Sequence, residues 1–190
     1  MELILIRHGL PERSEETRDP PLAAAGRDQA RRVAARLARE RIDVVASSTM
    51  LRAVQTAEPY AALSGRALRT DPGIVEFDRG AGSYVPMEVL KHENYEAWTR
   101  FVARGRGDDI DDFQKTVVAA LEAIVGENAG RRVAVFCHGG VINVWTAHVL
   151  GMAPRLFFEP YYASLHRYLC AGTGERNLVS LNDTAHLQDC

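Results

Sequence analysis

Short apolar runs alternate with amphipathic stretches along this chain of 190 residues. The first run, at residues 3–6, is bounded by charged residues and predicts a short buried strand that ends at Arg7. The run at residues 132–137 is almost continuously apolar, which is typical of a strand in a sheet covered on both faces. Similar patterns predict further strands at residues 42–46, 66–70, 163–170 and 176–181.

The stretches between these strands place apolar residues at helical spacing. They predict helices at residues 23–40, 49–63, 109–127 and 141–150, with a serine or threonine capping the second helix. Tyr95, Trp98 and Phe101 are also spaced as on a helix, and they either pack in the core or line a substrate pocket. Because strands and helices alternate, the sequence predicts an α/β fold: a three-layer α/β/α sandwich with a mostly parallel central sheet, in one domain over residues 1–190.

Charge and composition narrow the class of partner. The formal net charge is −2 and the charges are mixed in sign, so any phosphate affinity must be local, and nothing indicates a surface for nucleic acid or anionic membranes. No apolar window approaches the roughly 18 residues of a membrane helix, and the first residues lack the pattern of a signal peptide. Cys137, Cys170 and Cys190 are odd in number and fit free thiols. The sequence therefore predicts a cytoplasmic protein without a nucleic-acid or membrane partner.

Candidate chemistry begins where the first strand ends, at Arg7-His8-Gly9. Ligands of open α/β sheets bind beyond the carboxyl ends of strands, and a guanidinium, an imidazole and a glycine there suit an anion. Gly9 would let the backbone approach such a ligand closely. Taken alone, the three residues are better explained as the polar end of an edge strand, and only the rest of the chain changes this interpretation.

Three later segments add candidates, and the one at His138 repeats this arrangement. Arg52 falls in the first turn of the predicted second helix, where free backbone amides and the helix dipole favour an anion, although a surface arginine would fit the same pattern. His138 follows the strand at 132–137 and precedes Gly139-Gly140 at the start of a helix. Glu76 lies on the loop after the third predicted strand, where a carboxylate alone would indicate only a surface charge.

Taken in order, these segments resemble the histidine phosphatase superfamily, also called the phosphoglycerate-mutase-like family. The resemblance runs over nearly the whole chain, and the ordered set is far more specific than a single Arg-His-Gly. Supporting segments are Asp19-Pro20-Pro21-Leu22, Gly26, Gln29-Ala30, Ser47-Ser48, Arg52-Ala53, Gln55-Thr56-Ala57 and residues 181–187.

The resemblance implies a covalent mechanism. The histidine that matches His8 attacks phosphorus and forms a transient phosphohistidine, which water hydrolyses. Arg7 and Arg52 would disfavour the imidazolium form of His8 by charge repulsion and attract the phosphate dianion. His138 and the backbone of Gly139 would contact the phosphoryl oxygens, so that positioning and positive charge stabilise the transition state.

The resemblance also implies a proton donor. Glu76 matches the position that protonates the leaving oxygen, and Asp78 is a weaker candidate for the same role. Two arginines and a histidine supply the positive charge, so no metal or other cofactor is expected. The partner is then a small phosphorylated substrate, and a homodimer stays open.

The chain departs from the family pattern on segments that face the substrate. Leu10-Pro11 follow Arg-His-Gly, and Ser14 stands where many relatives have a phosphate-contacting asparagine, so Ser14 is a candidate substrate ligand. Residues 79–83 and 107–109 also differ. These changes affect substrate identity more than chemistry: sugar phosphates, phosphoglycerates, nucleotides and phosphoproteins all stay open, with selectivity expected at Arg13, Arg79 and the group from Tyr95 to Phe101.

Other functions fit less well. A cysteine-dependent phosphatase needs an arginine six residues after Cys137, and Asn143 stands there. A zinc site built on His8, Cys137 and His138 is disfavoured because successive strand residues point to opposite faces. Within the family, phosphoglycerate mutases are generally longer, so the length favours hydrolysis. A non-catalytic phosphate-binding module would not need all the catalytic positions occupied. The sequence thus predicts a phosphohydrolase that acts on a small phosphate monoester.

Overall fold

The computed structural model describes residues 1–77, 84–104 and 108–188. Within these ranges the chain forms six strands and six α-helices. The strands are β1 (Glu2–Arg7), β2 (Val44–Ser48), β3 (Leu68–Asp71), β4 (Arg132–Cys137), β5 (Leu165–Cys170) and β6 (Arg176–Asp183). The helices are α1 (Ala24–Leu37), α2 (Leu51–Ser64), α3 (Met87–Glu93), α4 (Tyr95–Arg104), α5 (Asp108–Glu127) and α6 (Gly139–Val149).

The six strands form a sheet with β4 and β1 at its centre, in the order β3-β2-β4-β1-β5-β6. The first four in this order run parallel to one another, and β5 and β6 are antiparallel to their neighbours. The predicted α/β fold with a mostly parallel sheet is therefore confirmed. Arg7 lies opposite Cys137, and Ser47 lies opposite Phe136, so β1, β2 and β4 end at the same edge of the sheet.

Helices cover both faces of this sheet. Ile4 packs in one apolar cluster with Val33 of α1, and Leu5 packs in another with Val117 of α5 and Trp145 of α6. Strands covered on both faces need apolar side chains at successive positions, which explains the continuous apolar runs of β1 and β4. The predicted three-layer sandwich is confirmed, whereas the single domain over residues 1–190 stays a prediction.

The start of α2 differs from the sequence expectation. Met50 precedes the helix without a side-chain cap, and the Asp19 carboxylate accepts a hydrogen bond of 2.8 Å from the backbone N–H of Leu51. The expected serine or threonine cap is wrong, because β2 extends through Ser48 and the Ser48 hydroxyl contacts His138 at 2.8 Å. A carboxylate at this turn also suits the positive end of the helix dipole.

Other boundaries also shift by two or three residues. α1 ends at Leu37, where residues up to 40 were predicted to be helical, and α6 begins at Gly139 rather than at Val141. The segment from 86 to 107 contains two helices, α3 and α4. None of the helices in the described ranges combines the length and apolarity that crossing a bilayer requires. Cys137 and Cys170 are buried free thiols, as predicted, and Cys190 lies outside the described residues.

An ionic network ties β1, β4 and β5 together. Arg167 of β5 bonds to Glu2 at 2.8 Å and to both carboxylate oxygens of Glu40 at 2.6 and 2.9 Å. Arg132 of β4 reaches the other oxygen of Glu2 at 2.5 Å. The side chain of Arg167 is only 12% exposed, so its bidentate geometry is largely shielded from water.

Replacing Arg167 with methionine should lower the free energy of unfolding by about 2–4 kcal/mol, because Glu40 loses its bidentate partner and Glu2 loses one of its two arginines. Arg31→Met is the matched control: its pair with Asp28 is exposed, and its loss should cost less than about 1 kcal/mol. Urea unfolding of both variants measures the difference. Equal losses would contradict a stabilising role for this network.

Candidate active site

His8 and His138 leave the sheet side by side. Each follows one of two paired parallel strands, and the backbone N–H of His8 donates to the carbonyl of Cys137 at 3.0 Å. The centroids of the two imidazole rings lie 5.2 Å apart, with the rings tilted by 58°. Parallel pairing of β1 with β4 thus brings together two histidines that are far apart in the sequence.

The hydrogen bonds of His8 define its tautomer. Nδ1 lies 2.8 Å from the carbonyl oxygen of Gly9, which can only accept, so Nδ1 carries the hydrogen. Nε2 receives the Nε–H of Arg52 at 3.2 Å, which requires an unprotonated Nε2. Burial, reinforced by the charges of Arg52 and Arg7, holds the pKa of His8 well below its usual value. His8 is therefore neutral, with its lone pair on the nitrogen that faces the arginine.

Arg52 is fully buried in the first turn of α2. Besides His8, it contacts the carbonyl of Arg18 at 3.0 Å and the Asp19 carboxylate at 3.4 Å, and its guanidinium lies 4.9 Å from the ring centre of Tyr84. Its Nη2 is buried without a hydrogen-bond partner. A charged donor in that position suits an anionic ligand.

Arg7 approaches from the other side. Its guanidinium stacks on Tyr162, 3.9 Å from the ring centre, and its Nη1 donates to the carbonyl of Pro160. The ring of Tyr162 also contacts His8, with 5.7 Å between centroids. Nη1 is therefore engaged, and Nε, which is buried without a partner, is available to a ligand.

His138 completes the set of buried nitrogen atoms. Its Nε2 lies 2.8 Å from the Ser48 hydroxyl, and its Nδ1 is buried without a partner. Burial is the main reason that the pKa of His138 is held well below its usual value, and Arg52, His8 and Arg7 add charge repulsion. Arg7, Arg52 and His138 each thus keep one buried nitrogen unpaired at the same edge of the sheet.

Glu76 reaches the same place from the segment after the 3-10 helix Pro72–Ile74. Its carboxylate accepts the backbone N–H of Gly140 at 3.0 Å and that of Phe77 at 2.8 Å. A Cβ atom at position 140 would lie 2.3 Å from this carboxylate, so the close approach requires glycine. A Cβ at Gly139 would lie 3.7 Å from Nε of Arg7, an ordinary contact.

Two other predicted ligands have local partners. Gly9 donates its N–H to the Thr56 hydroxyl at 3.0 Å, and a Cβ at Gly9 would lie 2.6 Å from the carbonyl oxygen of Gly26. Contact between the backbone after β1 and α1 therefore already requires glycine at position 9. The Ser14 hydroxyl accepts the N–H groups of the second and third residues that follow it, at 3.2 and 3.1 Å. Whether Ser14 contacts substrate stays a prediction.

The structure describes only some of the residues at which substrate selectivity is expected. Arg13 pairs with Glu93 at 2.7 Å, and Tyr95 stacks on Trp98 with 5.3 Å between centroids. Asp78, the differing segment 79–83, which includes Arg79, and Gly107 of the differing segment 107–109 lie outside the described residues, as does the side chain of Phe101.

A cavity of about 270 Å³ opens onto His8. Arg7, His8, Glu76 and Gly139 line its base. Its walls include Phe77, Tyr84, Trp98, Leu156, Phe157 and Phe158. In the part of the chain that the structure describes, no three histidine, cysteine, aspartate or glutamate side chains form a group that could hold a metal ion.

Sequence reasoning missed three contributors to this site. Tyr162, which contacts Arg7, and the segment 156–160, which lines the cavity, follow α6 without any recognisable motif, and Asn143 holds two residues of that segment. Asn143 accepts the N–H of Phe157 at 2.8 Å and donates to the carbonyls of Phe158 and Gly139 at 3.0 and 2.9 Å. A polar residue within an apolar helix was the only available signal for this role.

Comparisons with known proteins agree with this geometry. The family description "Histidine phosphatase superfamily (branch 1)" matches residues 3–184. The chain is 34% identical to phosphoglycerate mutase-like protein 4 of Arabidopsis thaliana over 156 residues, 75% of this chain and 68% of that protein. It is 27% identical to the probable phosphoglycerate mutase GpmB of Yersinia enterocolitica over 167 residues, 82% of this chain and 77% of that protein.

Solved structures share the fold. Bacillus stearothermophilus YhfR superposes with a TM-score of 0.81 at 23% identity, covering 98% of this chain and 99% of that one. A mutant phosphoserine phosphatase from Entamoeba histolytica, in complex with phosphoserine, superposes with a TM-score of 0.78 at 24% identity and the same coverage. With the match over residues 3–184, these findings show that the chain belongs to the histidine phosphatase superfamily, branch 1.

Proposed function

We propose that the protein is a phosphohydrolase that cleaves a small phosphate monoester through a phosphohistidine at His8. The observation that carries this proposal is the neutral His8 imidazole, whose unprotonated Nε2 lies beside a buried guanidinium. A nucleophile needs a free electron pair, and a phosphate dianion needs cationic donors. His8 and Arg7 line the same small cavity, and Arg52 contacts His8 directly.

In the proposed reaction, buried donors of Arg7, Arg52 and His138 bind the phosphoryl oxygens. Nε2 of His8 attacks phosphorus, the bond from phosphorus to the leaving oxygen breaks, and Glu76 donates a proton to that oxygen. Water then attacks the phosphohistidine and gives a proton to Glu76. Inorganic phosphate leaves, and His8 returns to its neutral form.

A mutase is the second candidate, because the two relatives named above are described as phosphoglycerate mutases or mutase-like. A mutase would pass the phosphoryl group from His8 to a second hydroxyl instead of to water. A non-catalytic phosphate-binding module is less well supported, since binding alone does not require an unprotonated Nε2 directed at a guanidinium. No metal or cofactor has a role in the proposed steps.

His8→Ala should abolish phosphate release from p-nitrophenyl phosphate, with a loss of about 10³-fold or more, because no other group supplies the nucleophile. The control is His92→Ala, which changes an exposed histidine of α3 and should retain activity. Circular dichroism checks folding of both variants. Phosphate release that persists in His8→Ala would contradict the proposal.

Phosphohistidine trapping separates the candidates. Under a denaturing alkaline quench, a phosphatase labels at His8 and releases phosphate, whereas a mutase labels with little release and transfers the group to an added phosphoglycerate. A binding module does neither.

Glu76→Gln should slow an alkyl phosphate by about 10²-fold or more and should slow p-nitrophenyl phosphate far less, because p-nitrophenolate leaves without proton assistance. Glu58→Gln, an exposed carboxylate on α2, is the control and should affect neither ester. Values of kcat for both esters give the comparison. Equal slowing of the two esters would remove Glu76 from the role of acid.

The lowered pKa of His8 predicts how stability depends on pH. Below about pH 6.5 this histidine binds a proton in the unfolded chain but not in the folded chain. The free energy of unfolding therefore falls as the pH falls, and this residue contributes about 1.4 kcal/mol per pH unit. His8→Asn should therefore have a shallower slope than the unmodified protein between pH 6 and 5. Urea unfolding at several pH values measures both slopes, and identical slopes would show that His8 is protonated in the folded state.

A further inference from the structure

The cavity indicates which alcohols the phosphate is attached to. We propose that the enzyme acts on phosphate monoesters of uncharged, apolar or aromatic alcohols, in preference to esters that carry a carboxylate. This inference deepens the proposed function and rests on it.

The first support is the apolar wall of the cavity. It is formed by Phe77, Trp98, Leu156, Phe157 and Phe158, which line the same cavity as His8 and Arg7. Several of these rings already pack on other rings, with centroids 5.3 Å apart for Phe77 and Phe113 and 5.0 Å apart for Phe157 and Phe158. Because the wall is formed before any ligand enters, an apolar group binds there without ordering new side chains.

The second support is the way this wall is held. The side-chain amide of Asn143 accepts the N–H groups of Phe157 and Phe158 at 2.8 and 3.2 Å and donates to the carbonyl of Phe158. The same amide donates to the carbonyl of Gly139, next to the phosphate end. The apolar wall therefore has a fixed position relative to His8, as discrimination between leaving groups requires.

The third support is charge. Among the described residues that line the cavity, Arg7 is the one cation, whereas Glu76 and Glu159 are acidic. Arg7 is held by Pro160 and Tyr162 with its free Nε at the phosphate end. A carboxylate on the alcohol portion would face aromatic rings and acidic groups, and an unpaired charge is costly in such surroundings.

Among the described residues, two other cations close to the cavity have partners of their own. Arg13 pairs with Glu93 at 2.7 Å, and the Lys91 ammonium lies 5.0 Å from the ring centre of Trp98, on a residue that does not line the cavity. Neither provides a second anion site next to the first. The cavity volume of about 270 Å³ also suits a leaving group of about one aromatic ring rather than a nucleotide.

The test compares benzyl phosphate with 4-carboxybenzyl phosphate. Both release a benzylic alcohol and so make a similar demand on the proton donor, and they differ in one remote charge. We expect kcat/KM to be at least about tenfold higher for benzyl phosphate. Equal values, or a preference for the carboxylated ester, would overturn the inference.

Variants locate the origin of the preference. Trp98→Ala and Phe158→Ala should each lower the kcat/KM for benzyl phosphate relative to that for methyl phosphate. Glu159→Gln should raise the kcat/KM for 4-carboxybenzyl phosphate relative to that for benzyl phosphate. Leu63→Ala, an exposed apolar residue of α2, is the control and should leave every ratio unchanged. Unchanged ratios in all three cavity variants would also overturn the inference.

The outcome distinguishes the two proposals. If p-nitrophenyl phosphate is hydrolysed in a His8-dependent way and the carboxylated ester is preferred, the phosphatase function stands and the inferred substrate class is wrong. If no ester is hydrolysed, both proposals fail.

Discussion

The site depends on keeping one imidazole neutral in a strongly cationic environment. The same two guanidinium groups that would attract a phosphate dianion also oppose a proton on His8, and burial opposes it more strongly than either charge. The carbonyl of Gly9 fixes the remaining ring hydrogen on Nδ1, so the electron pair is left on Nε2. A more exposed histidine would be protonated more easily. Without the two arginines, the site would lack the positive charge that attracts a phosphate dianion.

Sheet topology provides this environment from distant parts of the chain. β1, β2 and β4 end at one edge, and they deliver His8, Ser48 and His138 to adjacent positions. The loop after β1 then returns to α2, where the Asp19 carboxylate binds both the first turn of the helix and the Arg52 side chain. A single acidic residue thus helps to fix a helix terminus and a buried cation.

Much of this was predictable from the sequence. Apolar periodicity indicated most strands and helices, and it placed Arg7, His8 and His138 at strand ends and Arg52 in the first turn of a helix. The resemblance to the histidine phosphatase superfamily then singled out these four residues as a set. The pattern could not show that His8 is fully buried beside two arginines, nor that Asp19 rather than a neighbouring serine contacts the first turn of α2. It also could not locate Tyr162, since no motif marks that position. These features arise from side-chain contacts between distant segments, which periodicity does not encode.

Asn143 has a consequence for the evolvability of the protein. Its amide contacts only main-chain atoms of residues 157 and 158, so the side chains at those positions can be exchanged while the tether is retained. Gene duplication followed by substitution at positions 156–158 would then diversify the accepted alcohols and leave the phosphate-binding end intact. Libraries that randomise these positions should keep Asn143 constant.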